Sequence, residues 1–368
     1  MNHLARADRV VVKIGSSLLC DPKGALHRSW LADLARDIAD LRQTGCALAI
    51  VSSGAIALGR HAGGFGSSTP LTLEQSQAAA AIGQIKLARA YEEALEHHGI
   101  CTAQILLTLD DGNNRQRFLN SRATMATLLA QDVVPICNEN DSVATDEIRF
   151  GDNDRLAAQV AVMINADALI LLSDVDGFYT DDPRRVPGAR HLKSIPAITP
   201  EIIAMAGPPA SPLSRGGMQT KLDAAHVATN AGCALAIADG RVAHPLTAIH
   251  SGSTCTWFEP TSDPETARKQ WIASMKPKGR IIIDAGARRA LDRGKSLLPA
   301  GVLRIEGTFD LGDVVEIVDT DGNRFGCGLT RYTSAECERI AGMRSAEIAT
   351  ILHGPARSAL IHRNDMSH

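Results

Sequence analysis

Ser214-Arg215-Gly216-Gly217-Met218-Gln219-Thr220-Lys221 sets two glycines, a hydroxyl and a lysine directly ahead of the apolar positions Leu222, Ala225, Val227 and Ala228. A turn of this kind opening a helix offers free backbone N–H groups, the positive end of the helix dipole and an ammonium, which together suit phosphate oxygens. A second lysine leaves a predicted strand in the same way: Lys13-Ile14-Gly15-Ser16-Ser17 follows the apolar run Val10, Val11, Val12. The spacing matches neither G-x-x-x-x-G-K-[ST] nor a strand followed by G-x-G-x-x-G, which disfavours a P-loop kinase and a Rossmann dehydrogenase. Val51-Ser52-Ser53-Gly54-Ala55-Ile56 lacks the glycine two residues ahead of a nucleophile-elbow serine. Its hydroxyls and N–H groups suit an anion, with an N-cap by Ser52 or Ser53 as the alternative.

Carboxylates and carboxamides gather in two further segments, Asn138-Glu139-Asn140-Asp141 after the strand predicted to end at Cys137, and Phe150-Gly151-Asp152-Asn153-Asp154 ahead of a helix predicted from about Leu156. Singly, each reads as an Asx turn or a cap. Jointly with the lysines and the hydroxyl turn they could hold a zwitterion beside a polyphosphate. An α-ammonium needs a carboxylate, an α-carboxylate needs N–H donors, and a transferring phosphoryl group needs cations and Mg²⁺.

The elements that must position these residues alternate. Strands are predicted near Val10 to Ile14, Ala47 to Val51, Ile105 to Leu107, Val133 to Cys137, Leu169 to Leu172 and Ala234 to Ala238. Helical spacing joins Trp30, Leu31, Leu34, Ile38 and Leu41, and again Ile82, Ile85, Leu87, Ala90, Tyr91 and Leu95. The pattern predicts an α/β fold, an open, mostly parallel sheet sandwiched by helices, with ligands at the carboxyl edge of the strands. From Asp174 to Gly217 periodicity fails and prolines accumulate, as in a functional flap. Beyond Lys276 short strands and turns predict a small, mainly β domain, with strands at Arg280 to Asp284, Gly301 to Glu306, Asp313 to Val318, Phe325 to Leu329 and Ala359 to His362. The expected division is 1–259, a linker at 260–275, and 276–368.

Composition sets the frame. With 368 residues, 45% hydrophobic and 21% charged, the chain exceeds what one core usually serves, and its net charge of −3 gives no footprint for nucleic acid or membrane. No apolar run suggests a span or signal peptide, so a cytoplasmic protein is expected. The eight cysteines include no C-x-x-C pair and read as small buried hydrophobes, and His97-His98 reads as a solvated helix end.

The segments Val12–Ser17, Val51–Ile56, Phe118–Arg122, Val134–Asp141, Gly151–Asp154, Leu172–Gly177 and Gly216–Lys221, in this order, resemble the amino acid kinase family, and within it the glutamate 5-kinases that carry a C-terminal PUA domain. The resemblance spans essentially the full length. It implies the amino acid kinase fold, ATP and Mg²⁺ as cofactors, and phosphorylation of the γ-carboxylate of L-glutamate to L-glutamyl 5-phosphate, the first step towards proline. Lys13, Lys221 and Asp154 take the catalytic positions, the lysines neutralising the phosphoryl group and Asp154 holding them. Ser53, Asp141 and Asn153 match the glutamate-binding positions. Lys13, Ser173, Asp174, Ser214, Arg215, Gly216, Gly217, Met218, Gln219, Thr220 and Lys221 match the nucleotide-binding positions, and no protein ligand to the metal is assigned. Ser214, Arg215, Gln219 and Ser173 depart from the residues common in the family, which leaves the role of Arg215 open. Feedback inhibition by proline and a homo-oligomer are further implications. Two other readings stand beside this one: a kinase for another small amino acid or acid, and a protein whose PUA domain binds RNA. Residues 276–368 hold 14 Lys and Arg against 12 Asp and Glu, a balance that favours a structural or regulatory tail over RNA binding.

Overall fold

Val10, Val11 and Val12 are wholly buried, because β1 (Arg9–Ile14) lies in the middle of an eight-stranded sheet covered on both faces. The structure, a computed structural model, describes residues 3–21, 23–66, 70–143, 153–207, 217–352 and 359–367. The chain forms two compact units, Met1–Pro264 and Glu265–His368.

In the first unit the strands are β1, β2 (Ala47–Ser52), β3 (Thr102–Leu107), β4 (Val134–Glu139), β5 (Ala168–Ser173), a two-stranded ribbon of β6 (Phe178–Tyr179) and β7 (His191–Leu192), then β8 (Ser194–Ile195), β9 (Ala234–Asp239) and β10 (Cys255–Phe258). The sheet order is β3-β4-β2-β1-β5-β9-β10-β8. Pairs from β3 to β9 are parallel, β10 runs antiparallel to β9, and β8 is parallel to β10. Alternation along β1 divides two cores. Val10, Val12 and Ile14 face the helices Arg28–Gln43 and Leu73–Glu96, whereas Val11 faces Asn153–Ile164 and Met218–Asn230.

Two boundaries differ from expectation, and both matter for the site. β4 runs through Glu139, so Asn138 and Glu139 belong to a strand rather than to a loop, since their backbone groups still pair with β3 at Leu106 and Leu107. The helix expected from about Leu156 starts at Asn153, while the helix expected behind the glycine turn starts at Met218. Polar residues in a first turn carry no apolar period and are invisible to it, although first turns accommodate them well. The Asp174 to Gly217 segment contains β6 to β8 and the helix Pro200–Met205; residues 208–216 lie outside the described set.

The helix Leu73–Glu96 also corrects the expected face. Ile82 and Ile85 are exposed, 38% and 73%, and the buried stripe is Ser76, Ala79, Ala80, Gly83, Gln84, Leu87, Ala90, Tyr91 and Leu95. Small residues take that side because the helix meets Ala55–Ala62 at backbone contact: a Cβ on Gly83 would lie 1.8 Å from the Ala55 carbonyl oxygen, and one on Gly59 1.7 Å from that of Ala79.

In the second unit five strands, β11 (Gly279–Ile283), β12 (Val302–Gly307), β13 (Val314–Val318), β14 (Arg324–Leu329) and β15 (Met366–Ser367), assemble as β12-β11-β13-β14-β15. The strand expected at Ala359 to His362 is replaced by a single bridge, Leu297 to Ile361, and the chain pairs again only at Met366. Helix Pro264–Ser274 carries Arg268, which is buried and donates to Asp365 Oδ1 at 2.8 Å and to the Asn364 carbonyl at 3.2 Å within this unit. Six of the eight cysteines are buried and none is bonded to another; Cys101 is exposed, contrary to expectation, just ahead of the edge strand β3.

Gly83→Ala is expected to cost about 1–3 kcal/mol, because the methyl must displace a helix backbone. A lowered urea midpoint checks it, and an unchanged midpoint would show that the helix crossing relaxes freely.

Candidate active site

Lys13 stands one residue before the end of β1, on the face covered by the helices Asn153–Ile164 and Met218–Asn230. Asp154 and Lys221 each occupy the first turn of one of those helices. The three side chains meet. Lys13 Nζ lies 2.5 Å from Asp154 Oδ1 and Lys221 Nζ 2.9 Å from Asp154 Oδ2. Asp154 is completely buried, with Lys13 at 8% and Lys221 at 7% exposure. The start of a helix favours the Asp154 carboxylate, and that carboxylate offsets the unfavourable placement of Lys221 at another helix start.

Burial alone would push the Asp154 carboxyl up. The charges of Lys13 and Lys221, and their hydrogen bonds, pull it further the other way and leave it well below the usual carboxylate range. Asp154 is therefore ionised at any physiological pH, and the three groups carry a net positive charge. Thr220 adds a hydroxyl 3.4 Å from Asp154 Oδ2 and ties the helix start to itself, accepting from the Gly217 N–H at 3.1 Å and donating to the Gly217 carbonyl at 2.9 Å.

Beside this triad opens a cleft of about 740 Å³. Ser53, Asn138, Asp141 and Asn153 line it, together with Glu139. Asn153 precedes Asp154 in the same helical turn, so the cleft and the triad share one anchor. Its Nδ2 donates towards the Ser52 carbonyl at 2.8 Å, Asn138 Oδ1 at 2.9 Å and Ser53 Oγ at 3.0 Å. Neither Ser52 nor Ser53 caps the following helix: Gly54, at a φ of +108°, is the N-cap. Ser52 is instead buried, 2.9 Å from the Tyr91 hydroxyl. The cleft also has Lys23, Arg60 and His61 along it, which were absent from the expected site. With Glu139 and Asp141 at the end of β4, the cleft holds both charge signs, as a zwitterion with an acidic side chain requires.

On the other side of β1, β5 ends in Ser173, which is buried and donates to Asp174 Oδ1 at 3.1 Å, while Asp174 itself is exposed. Met218, Gln219, Thr220 and Lys221 form the first turn of their helix and Gly217 is its N-cap. Ser214, Arg215 and Gly216 lie outside the described residues, as do Gly151 and Asp152. Among the described residues no group of three or more His, Cys, Asp or Glu side chains is arranged to hold a metal ion.

Asp154→Asn should lose about 3–5 kcal/mol, since two buried ammonium groups keep only a neutral partner. Because the folded carboxyl titrates below its unfolded counterpart at about 3.9, its contribution is complete above that pH and fades as the pH falls through the folded carboxyl's lower range. Denaturant melts of both proteins at pH 7 and at pH 3 should show the gap narrowing at the lower pH; a gap below 1 kcal/mol at pH 7 would contradict the placement.

Residues 8–239 match the model of the amino acid kinase family, and residues 279–352 match that of the PUA domain. The chain is 60% identical over 363 residues to a Glutamate 5-kinase of Paracoccus denitrificans, covering 99% of this chain and 98% of that protein. It is 58% identical to a Glutamate 5-kinase of Roseobacter denitrificans, covering 100% of this chain and 98% of that one. A Glutamate 5-kinase of Dinoroseobacter shibae is 57% identical with both chains covered in full. The lysine pair around a buried aspartate, the bipolar cleft beside it and these matches along the whole length place the chain in the amino acid kinase family, among the members that carry a C-terminal PUA domain.

Proposed function

We propose that the chain transfers the γ-phosphoryl group of ATP to the side-chain carboxylate of L-glutamate, giving L-glutamyl 5-phosphate and ADP at the start of proline synthesis. The convergence of Lys13 and Lys221 on Asp154, next to a cleft built for an acidic zwitterion, carries the proposal. Likeness over the full length to proteins named Glutamate 5-kinase supports the same substrate.

A γ-carboxylate oxygen attacks the γ-phosphorus, and the bond from that phosphorus to the β–γ bridging oxygen breaks. The glutamate carboxylate is already ionised at neutral pH, so the reaction needs no general base. The barrier is one of bringing two anions into line and neutralising the charge that spreads over the equatorial oxygens. Ammonium groups suit this as compact point charges. Asp154 keeps both aimed at one place, and the N–H groups of the first helical turn after Gly217 favour phosphate oxygens. In this reading Ser173 and Asp174, at the end of β5, take the nucleotide. Magnesium arrives as part of MgATP, since both Asp154 oxygens are already engaged by lysines.

In the cleft, Asp141 suits the α-ammonium of the amino acid, and Ser53 with the N–H groups at Gly54 and Ala55 suits a carboxylate. Lys23, Arg60 and His61 bias the cleft towards acidic ligands over neutral amino acids. A kinase for a different small acid would use the same triad, so the choice of substrate rests on the cleft.

Trapping the acyl phosphate with hydroxylamine, from glutamate and MgATP, tests the activity directly; a purified protein that yields no hydroxamate would contradict it. Lys13→Ala and Lys221→Ala should each lower kcat by about 10²–10³-fold, the usual cost of a lost transition-state donor. Asp141→Ala should raise the KM for glutamate by about tenfold or more while leaving that for ATP unchanged. Full turnover in either lysine variant would remove that residue from the mechanism.

A further inference from the structure

The cleft ends in a relay of side-chain amides whose last member lies behind the lining residues. Asn153 Nδ2 faces the Ser52 carbonyl at 2.8 Å, an oxygen that can only accept, and this fixes which end of the Asn153 amide points inward. The same Nδ2 faces Asn138 Oδ1 at 2.9 Å, which fixes Asn138 in turn. Asn138 Nδ2 then donates to Gln84 Oε1 at 2.7 Å. Gln84 sits on the buried stripe of Leu73–Glu96, 9% exposed, and its Nε2 has no partner among the described residues.

A buried amide with an unmet donor is unfavourable, and a leucine or methionine would fill the same space without it. What glutamine adds is one acceptor at the end of the relay. Its neighbour Gly83 presses on the Ala55 carbonyl, so the Gln84 backbone is held at a set distance from Ala55, which lines the cleft. Without the Gln84 oxygen, Asn138 Nδ2 faces no acceptor among the described residues, and the flipped amide would aim a donor at the Asn153 donor.

We infer that Gln84 is a positioning residue: its Oε1 takes up the Asn138 Nδ2 donor and so holds Asn138 Oδ1 on Asn153 Nδ2, which steadies the Asn153 orientation set by the Ser52 carbonyl and keeps Asn153 Oδ1 towards the α-ammonium of the substrate. The assignment of that ammonium rests on the function proposed above; the polarity of the relay does not. Gln84 is not among the residues lining the cleft and makes no contact with the lysine triad in the hydrogen bonds above, so its loss acts on binding through Asn138 and leaves the triad intact.

Gln84→Met removes the acceptor and keeps the volume, whereas Gln84→Glu keeps an acceptor in place. Gln84→Met should raise the KM for glutamate by about tenfold, with kcat at saturation and the KM for ATP within about threefold of the parent, and Gln84→Glu should restore the KM to within about threefold. An unchanged KM in Gln84→Met, or an equal loss in Gln84→Glu, overturns the inference. If Gln84→Met does not fold, Gln84→Glu decides alone, a tenfold rise in its KM counting against the relay. A crystal structure of Gln84→Glu separates this from the functional reading. Asn138 Nδ2 still facing residue 84, and Asn153 Nδ2 still facing the Ser52 carbonyl, support the relay whatever the cleft accepts; Asn138 reversed overturns it even if glutamate remains the substrate.

Discussion

One buried carboxylate holds two ammonium groups that come from positions more than two hundred residues apart in the chain. Asp154 is what makes the pair possible: two ammonium groups this deeply buried would repel each other without a counter-ion between them. Its two oxygens serve one lysine each. The fold supplies the rest of the geometry. A central strand delivers Lys13 to the carboxyl edge of the sheet, and two helices packed on the same face begin with Asp154 and Lys221.

The same helix start organises the neighbouring cleft. Asn153 and Asp154 are consecutive, so the residue that fixes the amide network and the residue that fixes the lysines move as one body. Strain or displacement in that turn would disturb the amide network and the lysine pair together. The opposite wall depends on a different device, the glycine-mediated contact between Ala55–Ala62 and Leu73–Glu96, which brings a long helix close enough for Gln84 to reach Asn138. The cleft lining thus draws on both faces of the sheet.

Much of this was legible in the residues themselves. The alternation of β-rich runs with 3.6-residue patterns fixed the sheet, because buried parallel strands and amphipathic helices leave strong periodic signals. Lys13, Lys221 and Asp154 could be singled out through glycine turns and the ordered motifs, and the structure brings them together. The misses share a physical origin. The helix start at Asn153 is polar, so apolar spacing placed it about three residues late. Gln84 and Gly83 were passed over because the reading of that helix followed large hydrophobes, and Ile82 and Ile85 turned out to face outward where backbone contact selects small residues. Lys23, Arg60 and His61 carry no local signal, since only the folded chain brings them to the cleft. The end of the second unit went astray because Ala359 to His362 is apolar enough for a strand but makes just one bridge.

The central claim is that both ammonium groups act on one migrating phosphoryl group. A crystal structure with glutamate, MgADP and an aluminium fluoride mimic of that group tests it most directly. The account predicts Lys13 Nζ and Lys221 Nζ both in hydrogen-bonding contact with the equatorial fluorides while Asp154 still bridges the two lysines. A mimic touched by one lysine alone, with the other still turned to Asp154 and away from it, would contradict it.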